Sequence, residues 1–136
     1  MESCLKELVN HRISRAEEDL VTSKLLLDKG SYRISLNRSY YAIFHAIRAV
    51  NILDGFDSSK HSGVIANFNH NYIKKGVFDK SLSLTIKKAS KYREQADYED
   101  FFEATKADAS EIYNLAFMFV ETIKRKLIEL DALESL

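Results

Sequence analysis

The chain contains no proline, and only four glycines, Gly30, Gly55, Gly63 and Gly76, interrupt it. Proline and glycine are the residues that break helices, so their scarcity excludes a turn-rich β architecture and leaves room for long helical segments. A single cysteine, Cys4, excludes an intramolecular disulfide, and no Cys/His cluster has the spacing of a zinc site. No apolar run reaches the roughly 18 residues of a membrane span, and the opening MESCLKELVNHRISRAEEDL carries acids where a secretory leader has an apolar core. The cytoplasm is the expected location, with no membrane partner. A basic excess is also missing: 20 Lys+Arg balance 20 Asp+Glu, which argues against a dedicated duplex-DNA binder and confines any nucleic-acid surface to a patch. G-x-x-x-x-G-K-[ST], G-x-G-x-x-G, H-E-x-x-H and G-x-S-x-G do not occur, so nucleotide hydrolysis, dinucleotide redox chemistry, zinc proteolysis and elbow-type hydrolysis lose their usual parts. No cofactor and no metal is expected.

What is present points to an all-α fold. With 136 residues, 46% hydrophobic and 29% charged, one globular domain over 1–136 is expected. Leu5, Leu8, Val9, Ile13, Ala16, Leu20 and Leu27 form one stripe at helical spacing, predicting a first helix over about 4–29 with Gly30 as its C-terminal cap. Ser31 is placed to cap a second helix running to about Leu53. That helix is apolar nearly all round through Ile34, Leu36, Tyr40, Tyr41, Phe44, Ile47, Val50 and Ile52, and is expected at the centre. A short third helix over 60–73 and a fourth over 79–95, capped by Asp79 or Ser81, follow. ADYEDFFEATKADAS reads as a connection to a long fifth helix with the stripe Ile112, Leu115, Phe119, Ile123, Leu127 and Leu130. The expected architecture is an up-and-down helical bundle of about five helices.

Charge is uneven along the second half. From Lys60 to Arg93 eight basic residues face one acid, Asp79, and from Glu94 to Glu111 seven acids face one lysine, Lys106. Lys80, Lys87, Lys88 and Lys91 are expected on one side of the fourth helix, either as a solvated face or, through Lys87 and Lys91, as a phosphate-backbone contact.

The chemistry-bearing candidates lie in RSYYAIFHAIRAVN, residues 38–51. Arg38 and His45, seven residues apart, fall on one helix face about 10 Å apart along the axis. A guanidinium on a largely apolar helix needs a partner or a function. An imidazole titrates near neutrality and serves as base or acid, while a guanidinium fork stabilises the added charge of a phosphorane-like transition state. Asn37, Ser39, Tyr41 and Arg48 neighbour them as substrate-binding candidates. RNA supplies its own nucleophile, since a 2′-hydroxyl deprotonated by His45 attacks the adjacent phosphate without a metal. The leaving 5′-oxygen then needs an acid, which a two-fold dimer with two copies of the second helix face to face would provide. The structural alternative is a buried ion pair from Arg38 to Asp97 or another acid, with a hydrogen-bonded core histidine.

RSYYAIFHAIRAVN, then KHSGVIANFNHNYIKKGVFD and YREQADY, in that order on an all-α chain, resembles the HEPN domain family over roughly residues 5–130. The resemblance is closest to small stand-alone prokaryotic members often paired with a minimal nucleotidyltransferase. It implies an arginine and a histidine with four to six residues between them, met here by Arg38 and His45 with six between. It implies metal-independent endoribonuclease activity in many members and a toxin or defence role in several. Ser39 fills a position usually polar in active members. Ile47 stands where a well-studied toxin subgroup has a tyrosine that its partner modifies, a departure that touches that modification and not the nuclease chemistry.

The expected function is therefore a dimeric, metal-independent endoribonuclease acting on single-stranded or loop RNA, the toxin half of a pair with a nucleotidyltransferase antitoxin. The alternatives are a non-catalytic nucleotide-binding or partner-docking module and a purely structural dimerisation module. His61 is expected to cap or pack, Arg93 and Asp97 to form a local i,i+4 ion pair, Tyr98 to pack, and His11 and His70 to serve no site.

Overall fold

A computed structural model describes residues 2–134. It is an all-α bundle of five helices: α1 (Ser3–Asp28), α2 (Tyr32–Asn51), α3 (His61–Phe68), α4 (Ser81–Tyr98) and α5 (Lys106–Glu129), with no strand among the described residues. α1 ends in a Schellman turn. Gly30 takes φ +82°, its N–H donates to the Leu27 carbonyl and that of Ser31 donates to the Leu26 carbonyl. Ser31 precedes α2 without a side-chain capping bond, and its carbonyl accepts the Ser35 N–H at 3.0 Å.

α2 is central, as its all-round apolarity predicts. Leu36, Ile43, Ile47 and Val50 are buried, Tyr40 is buried to its hydroxyl, and α1, α3, α4 and α5 all pack against the helix. This packing removes the physical ground for a two-fold interface built on α2, since its apolar surplus is consumed within one chain. The apolar residues left outside lie elsewhere: Ile34 at the start of α2, Val21 and Leu25 on α1, Phe117, Met118 and Leu130 on or beside α5, and Leu84, Tyr98 and Phe101 on or just beyond α4. Ile34, Leu130 and Tyr98 are thus exposed rather than packed.

Three boundaries differ from the sequence reading. The third helix is α-helical to Phe68 and then widens into a π-helical turn over Asn69–Ile73, where Tyr72 donates its hydroxyl to the Val50 carbonyl. α4 continues to Tyr98, and α5 begins at Lys106, where Thr105 Oγ1 accepts the Asp108 N–H at 3.1 Å. Only 99–105 connects them. Lys80 precedes α4, and the three lysines within it do not share one side: Lys88 reaches across to Glu111 of α5 at 2.8 Å, whereas Lys87 and Lys91 line a surface cavity with Ile65, Ile86 and Ser90. Neighbouring helical positions diverge by about 100°, which separates Lys88 from Lys87.

Candidate functional site

The α1–α2 seam is polar at regular intervals. Arg12, Asp19 and Ser23 interrupt the apolar stripe of α1 and are buried against α2. At one end, Ser23 shares hydrogen bonds with Ser35 (2.9 Å) and Ser39 (2.7 Å). Ser39 is 0% exposed, so it is a seam residue and does not join the candidate site. Consecutive helical residues point in different directions, and the position after Arg38 turns into the bundle.

Asp19 gathers the two leading candidates. Arg38 Nη1 donates to Asp19 Oδ1 at 3.1 Å, and His45 Nε2 lies 3.5 Å from Asp19 Oδ2, a buried oxygen that accepts no hydrogen bond among the described residues. Arg38 Nε and Nη2 both donate to Asn37 Oδ1, at 3.0 and 2.7 Å, and the guanidinium sits 5.0 Å from the centre of the Tyr41 ring. Asn37 in turn donates to both oxygens of Asp97, at 3.2 and 3.0 Å. Asp97 therefore holds Arg38 indirectly, through Asn37, and the direct carboxylate partner is Asp19. A guanidinium has five N–H donors and these contacts use three, so two remain on a side chain that is about one-third open to solvent. The structure thus brings Asn37, Arg38, Tyr41 and His45 together.

Arg48 is tied elsewhere. Asp57 Oδ1 accepts from Arg48 Nη2 at 2.9 Å and Arg12 Nη2 at 2.8 Å, and Arg12 Nη1 caps the Arg48 carbonyl at 3.1 Å. Hydrogen bonds from Arg48 and Arg12 hold the Asp57 carboxyl below its usual range. Lys87 and Lys91 line a cavity that shares no residue with the Arg38–His45 cluster. His61 begins α3, accepts or donates at Nδ1 with the Tyr40 hydroxyl at 2.9 Å, and lies against Phe44 with ring centres 4.2 Å apart. Arg93 stacks on Tyr40 and pairs with Asp97 at 3.6 Å, the local i,i+4 pair expected. His11 and His70 are exposed.

The electrostatics of His45 are set by its surroundings. Burial, and then the charges of Arg15, Arg48, Arg38 and Arg12, push its pKa down to about 4, outweighing the nearby Asp19. Burial raises the Asp19 carboxyl, with Arg38 and Arg15 opposing. His45 is therefore a neutral imidazole at physiological pH, in a field of four arginines that favours a phosphate. Arg15 is exposed and makes no ion pair among the described residues, so its charge is free for an anion.

The His45 shift has a consequence for stability. Unfolded chains take up a proton near pH 6.5, the folded chain only near pH 4, so the unfolded state binds more protons in between and stability falls as pH drops through that window. Asp19 acts with the opposite sign, since its raised pKa lets the folded state bind a proton first, and His61, lowered by burial and Arg93, adds to the His45 effect. Thermal melts of His45→Gln should show a shallower loss of Tm across this window than the unmodified chain. An unchanged slope would disprove the assignment.

Nothing in the sequence reading singles out Asp19 or Arg15. The available clue is spacing: Arg12 and Asp19 lie seven apart inside the stripe of α1, as Arg38 and His45 do on α2. Among the described residues no group of three or more His, Cys, Asp or Glu is arranged to hold a metal, and no helix is long and apolar enough to cross a membrane.

Comparison with known proteins agrees with the fold and with the family resemblance. The chain superposes on the crystal structure of TT1696 from Thermus thermophilus with a TM-score of 0.75 over 88% of this chain and 98% of the other, at 18% identity, which speaks for the fold alone. It is 33% identical over 126 residues to a Methanocaldococcus jannaschii protein named "Putative toxin MJ0605", covering 93% of each chain. It is 32% identical over 124 residues to a UPF0332 protein of Thermotoga maritima, covering 91% of this chain and 93% of the other. Residues 9–127, which include the whole Arg38–His45 cluster and its Asp19 partner, match the HEPN domain, and the chain belongs to the HEPN domain family.

Proposed function

We propose that the chain is a metal-independent endoribonuclease, cleaving single-stranded or loop RNA by transesterification at the 2′-hydroxyl. The observation that carries this reading is the convergence of Arg38 and a neutral His45 on Asp19, inside a field of arginines. An unprotonated imidazole is in the state a general base needs, and its low basicity keeps it there across the physiological range. Arg38 retains uncommitted N–H donors for the non-bridging phosphate oxygens, where charge builds as the 2′-oxygen attacks. The 2′-oxygen forms a bond to phosphorus, the 5′-oxygen leaves with a proton from an acid, and a 2′,3′-cyclic phosphate remains. Water supplies that proton, because the imidazole of a second copy would be as poorly protonated as this one.

The toxin names of its relatives support a place in a toxin–antitoxin pair, with a nucleotidyltransferase as the partner implied by the family resemblance. A second reading, a nucleotide-binding or partner-docking module without cleavage, is favoured by one observation: Arg38 already has a carboxylate partner within the chain. RNA incubated with the chain in EDTA distinguishes the two. Cleavage with 2′,3′-cyclic phosphate ends, absent from a strand with 2′-deoxy substitution at the cut, is expected. Retained binding without cleavage would establish the docking module.

A further inference from the structure

Beyond His45 the α1–α2 seam holds a second cluster that the candidate site does not use. Arg48 follows His45 by three residues and Arg38 by ten, so it lies about 4.5 Å and about 15 Å further along α2. Arg12 of α1 faces it, and the two guanidiniums share one acceptor, Oδ1 of Asp57, at 2.8 Å from Arg12 and 2.9 Å from Arg48. Sharing leaves donors over. The Nε and Nη2 edge of an arginine grips two oxygens of a carboxylate or a phosphate, but in Arg48 only Nη2 is bonded and Nε is buried without a partner. A buried donor of this kind costs stability until a ligand satisfies it. Asp57 is the least fixed member of the cluster. Its side chain is 46% exposed, it lies in the connection between α2 and α3, and its main chain makes no backbone hydrogen bond among the described residues. Arg12, by contrast, is buried. The balance of charge points the same way: Arg12, Arg15, Arg38 and Arg48 act together on His45, whereas the carboxylates bonded to them among the described residues are Asp19 and Asp57.

We propose that Arg12 and Arg48 form a subsite for a second phosphate of the RNA strand, beside the phosphate at Arg38 and His45, and that Asp57 fills it in the free chain as a surrogate anion. The inference rests on the RNA reading of the site and adds a contact to it. A phosphate presents two non-bridging oxygens where Asp57 Oδ1 serves alone, so each guanidinium gains an acceptor of its own and the Arg48 Nε–H is satisfied. One anion replaces another, so the buried Arg12 keeps the counter-charge it requires. Asp57 can give way, because its carboxylate turns toward solvent without unmaking a backbone hydrogen bond. Arg15, exposed and without an ion pair among the described residues, lies between Arg12 and Asp19 on α1 and adds its attraction to the same strand. The favoured substrate is therefore an oligonucleotide with at least one phosphate beyond the scissile one, and a dinucleoside monophosphate lacks the group that Arg12 and Arg48 hold.

Binding of a short single-stranded 2′-O-methyl RNA, whose blocked 2′-oxygen prevents cleavage, tests the subsite apart from the chemistry. Arg48→Gln, with native helicity checked by circular dichroism, should weaken binding about tenfold and reduce the slope of log affinity against log salt by about 0.7, the loss of one phosphate contact on a single strand. Arg48→Lys keeps the charge and the pair with Asp57, so it should retain the slope and lose part of the affinity. Asp57→Asn should act in the opposite direction on two readouts. It should bind the strand about threefold or more tighter, because the occupant that had to leave is gone. It should also melt at a lower temperature without RNA, because Arg12 and Arg48 lose their carboxylate. In the Arg48→Gln background the same change should lose most of its gain in affinity, whereas a general rise in positive charge would act equally in both backgrounds. Unchanged affinity in Arg48→Gln, an equal gain from Asp57→Asn in both backgrounds, or no binding of the strand by the unmodified chain would each overturn the subsite. Binding through Arg48 of a strand whose 2′-hydroxyl form is not cleaved would refute the nuclease reading and leave the subsite standing. Cleavage with both variants binding at the unmodified affinity would do the reverse.

Discussion

Arg38→Ala and His45→Ala should each slow RNA cleavage by about 100-fold or more, the usual magnitude when an acid/base group or a donor to a developing oxyanion is lost. The two losses have different expected signatures. Removing His45 deletes the base, so the residual rate should lose the acid limb of its pH dependence. In the unmodified chain that limb should lie near pH 4, where burial and the four arginines place the imidazole, well below the 6.5 of a free histidine. Removing Arg38 leaves the base and its titration in place and removes donors to the phosphate oxygens, so Arg38→Lys, which keeps the charge and loses the fork, should recover only part of the rate. Because Arg38 is bonded to Asn37 and Asp19, its truncation can also loosen the helix pair, and each variant has to keep native helicity for the comparison to count. Folded variants that cleave at the unmodified rate, or cleavage that appears only with Mg²⁺, would refute the mechanism.

The parts of this protein that were legible in the sequence are those governed by period. Proline-free apolar stripes at helical spacing define α1, α2 and α5, and the glycine at position 30 marks the end of α1 because its positive φ suits that residue. The pairing of Arg38 with His45 on one face follows from 3.6 residues per turn alone. What was not legible depends on tertiary contact. The carboxylate that Arg38 selects is Asp19, 19 residues earlier in the chain, and Asp97 reaches it only through Asn37. No local rule distinguishes these acids, since the choice is made by how α1 and α4 lie against α2. Ser39 shows the converse. Its place next to Arg38 in sequence suggested a shared site, but the hydroxyl is better satisfied by Ser23 across the seam. The exposure of Leu84 and Tyr98 on α4 was not legible either, because helical spacing describes a buried stripe equally well until the other side of the helix is known to carry Ile86, Ala89, Arg93 and Ala96.

Asp19 is the residue whose replacement should disturb the largest part of this arrangement at once. Asp19→Ala leaves Arg38 without its carboxylate and His45 without its closest acceptor. Breaking a fully buried pair by removing one partner costs about 3–5 kcal/mol, and the partial solvation of Arg38 lowers the expected loss here to about 2 kcal/mol in chemical denaturation. The burial penalty already borne by Asp19, seen in its raised pKa, works in the same direction, because removing the carboxyl also removes that cost. The decisive readout is the titration of His45. Without the carboxylate the four arginines act unopposed, so the imidazole should titrate lower still than about 4 in Asp19→Asn, a variant that keeps the volume of the side chain. An upward move toward the free-histidine value would mean that burial and the arginine field are not together what holds His45 neutral. Arg38→Ala combined with Asp19→Ala should cost less than the two single changes added together, since the pair disappears as a unit and no unpaired charge is left behind. Full additivity would show that Asp19 and Arg38 are not coupled, and Asp19 would then be a seam residue with no part in positioning the site.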